Sequence, residues 1–101
     1  MGNVMDTAAN EITRKEILEL CRQTGTYGAG IPVLKAALRK CDHVMTDQEL
    51  MLQISYLEGK GLVKVEKVEN RRLDIQRNIV FLTPEGMDYL EGNGPDIVGV
   101  G

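Results

Sequence analysis

The spacing of apolar residues changes at residues 59–61 of this chain of 101 residues. Before that point, apolar side chains recur every three or four residues, which is the period of an amphipathic helix. After it, apolar and charged residues alternate through residues 62–68, which is the period of a half-buried strand. The change of period predicts a helical first part of the chain followed by a β-hairpin.

Helices are predicted on both sides of a glycine-rich loop in the first part of the chain. The first helix is expected to begin at Glu11, after a tail of residues 1–10 without periodicity, and to end at Gly25. The second is expected to begin at Ile31, because Pro32 suits a first helical turn. Its predicted apolar stripe consists of Ile31, Leu34, Leu38 and Cys41.

The third helix has the clearest start signal. Thr46 and Glu49 have the spacing of a capping box, in which the hydroxyl and the carboxylate each accept a hydrogen bond from the other residue's backbone N–H. Leu50, Ile54 and Leu57 then form one apolar face. The short connection to the second helix is typical of a helix-turn-helix.

The hairpin is expected to have a polar tip at residues 69–72, centred on residues 70–72, and a bulge at Arg77 and Asn78. A last helix is predicted after Thr83, with Pro84 in its first turn, and it is expected to end at residues 92–95. The side chains expected to point inward from the return strand are Leu73, Ile75, Ile79 and Phe81.

The order of these elements predicts an α+β fold that is mainly α. A three-helix core, a two-stranded β-hairpin wing and a C-terminal helix together define a winged helix-turn-helix. We assign this domain to residues 11–92, between an N-terminal tail of residues 1–10 and a C-terminal tail of residues 93–101.

Two sequence runs carry a resemblance to a known family. Residues 57–63 (LEGKGLV) are similar to the junction between the third helix and the wing of winged-helix regulators, and residues 81–92 (FLTPEGMDYLEG) are similar to the segment after the wing. The chain resembles the small winged-helix proteins encoded in Mu-like prophages. The resemblance spans residues 11–92 and implies a DNA-binding transcriptional regulator of phage or prophage type.

Composition constrains how such a protein could bind DNA. The chain has 12 Lys and Arg against 15 Asp and Glu, a net charge of −3, whereas a dedicated nucleic-acid binder is usually basic. DNA contact must therefore come from a local basic patch. The sequence shows no signal peptide and no apolar run long enough for a membrane span, and its two cysteines suit a reducing compartment, so we expect a cytoplasmic protein.

The expected patch lies mainly outside the third helix, because residues 46–58 contain no Lys or Arg. Basic residues instead gather on the second helix and along the wing, whose tip arginines can enter a minor groove. From the third helix, a glutamine and a serine could contact bases or phosphates. The residues predicted to bind double-stranded DNA are Lys35, Arg39, Gln48, Ser55, Lys67, Arg71 and Arg72.

The alternative function is a protein–protein interaction module without specific DNA binding, in which Met51, Leu52 and Tyr56 form the interface. The DNA-binding hypothesis includes a homodimer, for which the N-terminal segment and the apolar C-terminal tail could supply an interface. A sensor of a small effector has no support from individual residues. No catalytic constellation is recognisable, and we predict no enzyme, cofactor or metal site, since Cys21, Cys41 and the single histidine, His43, are too few for the four ligands of structural zinc.

Overall fold

The computed structural model describes residues 4–92 and 99–100. It has the predicted α+β architecture, mainly helical, of a winged helix-turn-helix, and it adds one short strand that the sequence did not predict. The elements are α1 (Val4–Thr24), a short 3-10 turn (Gly25–Tyr27), β1 (Ala29–Gly30), α2 (Ile31–Lys40), α3 (Asp47–Gly59), β2 (Val63–Asn70), β3 (Ile75–Leu82) and α4 (Pro84–Leu90).

The core lies between the first three helices and one face of the sheet. Each helix contributes leucine or isoleucine side chains at three- and four-residue spacing, so that one stripe of each is removed from water. The fully or almost fully buried core residues are Ile17, Leu18, Cys21, Ala29, Leu34, Leu38, Leu50, Ile54, Leu57, Leu62, Val63, Val80 and Val100.

The helix starts agree with the sequence signals at α2 and α3 and differ at α1. The capping box between Thr46 and Glu49 is present, with hydrogen bonds of 3.1 Å and 3.0 Å. The prediction that the first helix begins at Glu11 was wrong, because α1 already begins at Val4, inside the predicted tail. Residues 4–10 contain no glycine or proline that would break a helix, so helix propagation needs no apolar stripe there.

The second helix ends before the last residue of its predicted apolar stripe. Helix α2 stops at Lys40, and Asp42 has a left-handed φ of 63°. Cys41 is consequently exposed, and its assignment to the apolar stripe was wrong.

The three strands form an antiparallel sheet in the order β1-β3-β2. Strands β2 and β3 pair without interruption from Val63 opposite Leu82 to Asn70 opposite Ile75, so the bulge expected at Arg77 and Asn78 is absent. Cross-strand partners lie on the same face of the sheet, which puts Val63 and Leu82 on the core side.

This pairing reverses the face predicted for β3. Val80 is fully buried, whereas Ile79 and Phe81, which were expected to point inward, belong to the opposite face and are only partly covered. The reason is the two-residue period of a strand, because a shift of one residue exchanges the two faces. Leu73 is not in the strand at all and is 65% exposed.

The tip of the wing is residues 71–74, shifted by two positions from the predicted residues 69–72. The side-chain oxygen of Asn70 accepts hydrogen bonds from the backbone N–H groups of Arg72 and Leu73, at 3.1 Å and 3.3 Å. Asp74 closes the turn with a left-handed φ of 51°. Hydrogen bonds to the Asn70 side chain therefore fix the backbone of the turn that carries Arg71 and Arg72.

The segment after the wing is attached to the core at several points. Thr83 caps α4 by accepting a hydrogen bond from the Gly86 N–H at 3.0 Å, as the sequence predicts, and its hydroxyl donates to the Gly61 carbonyl at 2.6 Å. Of the predicted C-terminal tail, residues 93–98 and 101 lie outside the described residues. Val100 is fully buried, and its carbonyl accepts a hydrogen bond from the Tyr89 hydroxyl at 2.7 Å.

Candidate nucleic-acid interface

Helix α3 presents an uncharged face to solvent. Gln48, Leu52 and Ser55 are exposed and lie on the side of the helix opposite the buried Leu50, Ile54 and Leu57, as the sequence predicts. Leu52, at the centre of this face, is 70% exposed. Gly59 continues the same line one turn further along and faces open space.

The carboxylates of Asp47, Glu49 and Glu58 flank this face, and two of the three already bind a group within the chain. Asp47 forms an ion pair with Lys35 of α2, with 2.9 Å between Nζ and Oδ1. The carboxylate of Glu49 accepts the backbone N–H of Thr46 in the capping box, and this hydrogen bond, followed by the contact with the Thr46 side chain, lowers the pKa of Glu49. Only Glu58, in the last turn, has no such partner among the described residues.

Two surface grooves meet at Asp47. One lies between the second half of α2 and the start of α3 and is lined by Lys35, Arg39 and Gln48. The other, of about 640 Å³, lies between the start of α2 and β3. Its lining includes the exposed side chain of Tyr27 and the side chain of Arg77. Helix α2, helix α3 and the wing therefore border one surface, which we call the candidate interface.

Most of the predicted phosphate-binding cations are exposed, and they differ in how they are paired. Lys35 is partly covered and neutralised by Asp47, which weakens its candidacy as a phosphate contact. By contrast, within residues 4–92 and 99–100 no carboxylate lies within ion-pair distance of the other cations of α2 or of those in the outer half of the wing. These unpaired cations are Arg39, Lys40, Lys67, Arg71, Arg72 and Arg77.

The residues predicted for a protein interface differ in their exposure to solvent. Tyr56 lies against α1, where the guanidinium of Arg14 stacks 3.7 Å from the centre of its ring. Arg14 also donates a hydrogen bond to the Gly99 carbonyl at 2.8 Å. Met51 is half-buried against the core, so among the three predicted interface residues only Leu52 is largely exposed.

The cysteines and the histidine do not come together. Burial raises the pKa of the Cys21 thiol to about 12, whereas Cys41 is exposed. His43 instead lies next to Thr13, with 3.5 Å between Nδ1 and the hydroxyl oxygen. The described part of the chain contains no group of three or more histidine, cysteine or acidic side chains placed to hold a metal ion.

The arrangement of helices and wing defines the winged-helix class, and a comparison with solved structures supports this assignment. The chain is similar to the X-ray structure of a PadR-like transcription factor from Bacteroides fragilis, with a TM-score of 0.76 and 19% sequence identity. The similarity covers 90% of this chain and 84% of that one. At this level of identity the likeness concerns the fold.

No protein-family model matches the sequence, and no curated protein matches it either. The winged-helix part of the resemblance noted from the sequence is thus confirmed by the fold, and its link to prophage proteins stays a prediction. Among the described residues, no helix is both long and apolar enough to cross a membrane.

Proposed function

We propose that this protein is a DNA-binding transcriptional regulator. The observation that carries the proposal is the wing tip, where Arg71 and Arg72 are exposed, have no carboxylate partner among the described residues and stand on a turn fixed by Asn70. In winged-helix proteins that bind DNA, the helix corresponding to α3 enters the major groove while the wing follows the backbone or the minor groove. The solved structure with a similar fold is itself described as a transcription factor.

The net charge of −3 is compatible with this function because of where the charges lie. Two of the acidic side chains nearest the expected DNA surface, Asp47 and Glu49, already have partners within the chain. Arg39 and Lys40 of α2 and the cations in the outer half of the wing form no ion pair in the described structure, and their contact with phosphates would release counterions. DNA binding would then be local and strongly dependent on salt.

A salt titration tests the proposal. We expect the full-length protein to bind a random duplex at low salt, with a logarithmic slope that falls by about 1.8 in the double variant Arg71→Ala/Arg72→Ala, since each lost phosphate contact removes about 0.9. The matched control is Lys15→Ala/Arg22→Ala on α1, which makes the same change in net charge outside the candidate interface. Absence of binding at low salt, or equal slopes for the two double variants, would refute the proposal.

A second function, a protein-interaction module, is favoured by one observation. Val44, just before α3, is 74% exposed, and Leu52, in the second turn of α3, is 70% exposed. Large exposed apolar side chains are common where a partner docks. The two functions respond differently to Leu52→Ser. In the interaction module this change should abolish partner binding, whereas in the DNA-binding protein the salt-dependent affinity for random duplexes should remain.

We further propose that the protein acts as a homodimer, because one small winged-helix domain offers few DNA contacts and a dimer binds two half-sites. Light scattering tests this directly, and a monomer at micromolar concentration would exclude it. The sequence resemblance suggests a prophage-type regulator acting in the cytoplasm, and we assign no catalytic activity to the chain.

A further inference from the structure

The outward face of α3 lacks the side chains that read guanine. Arginine and lysine, which make the most common specific contact to guanine O6 and N7, are absent from the whole helix from Asp47 to Gly59. The carboxylates that could accept from the cytosine N4 amine are committed elsewhere at the start of the helix, Asp47 to Lys35 and Glu49 to the capping box. At the exposed start of α3, guanine therefore meets no basic side chain, and cytosine meets only carboxylates that already have a partner within the chain.

The same face does carry groups that match an A·T pair. Gln48 is exposed in the first turn, and no described residue hydrogen-bonds its side chain, so its amide is available to bond adenine N6 and N7. Leu52 offers an apolar surface for the thymine methyl group. The two residues are four positions apart, about 6 Å along the helix. This corresponds to roughly two steps of 3.4 Å in duplex DNA.

The wing has the same preference for a different reason. A-tracts have a narrow minor groove with an enhanced negative potential, into which arginine side chains insert. Arg71 and Arg72 stand together at the tip of the wing, and the side chain of Asn70 fixes the turn that presents them. Asp74, in the same turn, forms no ion pair with either arginine in the described structure.

From these observations we propose that the preferred DNA is A·T-rich, read in the major groove by Gln48 and Leu52 and in the minor groove by Arg71 and Arg72. This inference rests on the proposed DNA-binding function and specifies its substrate. It also assigns different atoms of the base pair to the two parts of the protein. The thymine methyl group lies in the major groove, and the guanine N2 amine lies in the minor groove.

The experiment compares four duplexes of equal length at one salt concentration. They are an A·T-rich duplex, a G·C-rich duplex, the A·T-rich duplex with uracil for thymine, and the G·C-rich duplex with inosine for guanine. Uracil removes the methyl group that Leu52 would contact. Inosine removes the N2 amine and leaves the major-groove edge of guanine unchanged, so it tests the wing alone.

We expect the A·T-rich duplex to bind about tenfold more tightly than the G·C-rich duplex, in line with a good base contact. Uracil should remove part of this preference in the wild type and none of it in Leu52→Ser. Inosine should restore part of the affinity in the wild type and none in Arg71→Ala/Arg72→Ala. Gln48→Ala should reduce the preference, whereas Gln23→Ala, an exposed glutamine on α1, should leave it unchanged.

The outcomes separate the two proposals. Equal binding of all four duplexes, or a preference for the G·C-rich duplex, would overturn the inference and leave the DNA-binding function standing. No binding of any duplex at low salt would overturn the proposed function itself. Circular dichroism melts of each variant confirm that the exposed substitutions leave the fold intact.

Discussion

Two glycines lie inside helices of this protein, and the structure predicts opposite effects when each is replaced by alanine. A β-carbon on Gly86 of α4 would run into the backbone carbonyl oxygen of Leu62 and would lie 2.6 Å from a methyl carbon of Leu82. That carbonyl cannot easily move away, because it accepts a hydrogen bond from the Thr83 N–H at 3.1 Å. A β-carbon on Gly59 of α3 would meet nothing within 4 Å.

The magnitudes follow from this difference. Alanine is favoured over glycine by about 1 kcal/mol in a helix interior and by less in the last helical residue, so Gly59→Ala should stabilise the fold by ~0.5 kcal/mol. Gly86→Ala gains a similar helix-propensity contribution but forces α4 away from Leu62 and Leu82, and overpacking of this kind costs roughly 1–3 kcal/mol or more against a rigid backbone group. The net effect should be a loss of about 2 kcal/mol.

Urea unfolding, followed by circular dichroism, measures both changes in the free energy of unfolding. In thermal melts we expect Tm to rise by about 2–4 °C for Gly59→Ala and to fall by roughly 10 °C for Gly86→Ala, given 4–8 °C per kcal/mol in a domain of this size. The reasoning would be refuted if both substitutions shifted stability in the same direction. A stability of Gly86→Ala equal to the wild type would likewise show that α4 is not packed this closely.

Four further predictions concern the two residues of a helix cap, the two thiols and the stacked arginine. Thr46→Ala should lower the free energy of unfolding by about 1 kcal/mol, measured in urea, because it removes a helix cap. Folding lowers the pKa of Glu49, so the ionised carboxylate stabilises the fold above the unfolded-state pKa, and this contribution is lost as pH falls through the folded-state pKa. The variant Glu49→Gln should therefore lose less stability than the wild type on acidification. A thiol reagent should react with Cys41 in the native protein and with Cys21 only after unfolding, and rapid reaction of both would contradict the burial of Cys21, whose pKa is raised to about 12. Arg14→Ala should lower stability by roughly 1–2 kcal/mol in the same urea assay, because a stacking contact and hydrogen bonds are lost together, and an unchanged midpoint would argue against them.

The sequence predicts the elements whose signals are local. The capping box at Thr46 and the proline start of α2 depend on residues within one turn, and both are present in the structure. The outward placement of Gln48, Leu52 and Ser55 follows from helix period and is also observed. What these three side chains bind stays a prediction.

The elements that were missed depend on contacts between distant segments. Residues 79–82 are four consecutive apolar residues, so either set of alternate positions could have faced the core, and only pairing with β2 decides for Val80 and Leu82. The strand β1 has just two residues, Ala29 and Gly30, and carries no strand signal of its own. It exists because it pairs with Val80 and Ile79 of β3.

The candidate interface shows the same limit. In the sequence, α3 contains three carboxylates and no Lys or Arg, which counts against base contacts by this helix. The structure shows that Asp47 is paired with Lys35 across the helix-turn-helix and that Glu49 closes its own helix cap. Tyr56, predicted as part of a protein interface, lies under the guanidinium of Arg14. Both outcomes depend on which helices become neighbours, which helix period alone does not determine.

The short strand β1 also affects how the protein should behave at high concentration. A strand edge with unpaired N–H and C=O groups is a template for aggregation, above all where its side chains are apolar. Strand β1 covers the edge of β3 at Ile79 and Val80, the apolar end of that strand. Residues 75–78 of β3 have no such cover, and the other edge of the sheet belongs to β2, whose exposed residues include Lys64, Glu66 and Lys67. Sheet-to-sheet association of copies is therefore disfavoured where β1 covers the apolar end of β3 and along the charged edge of β2.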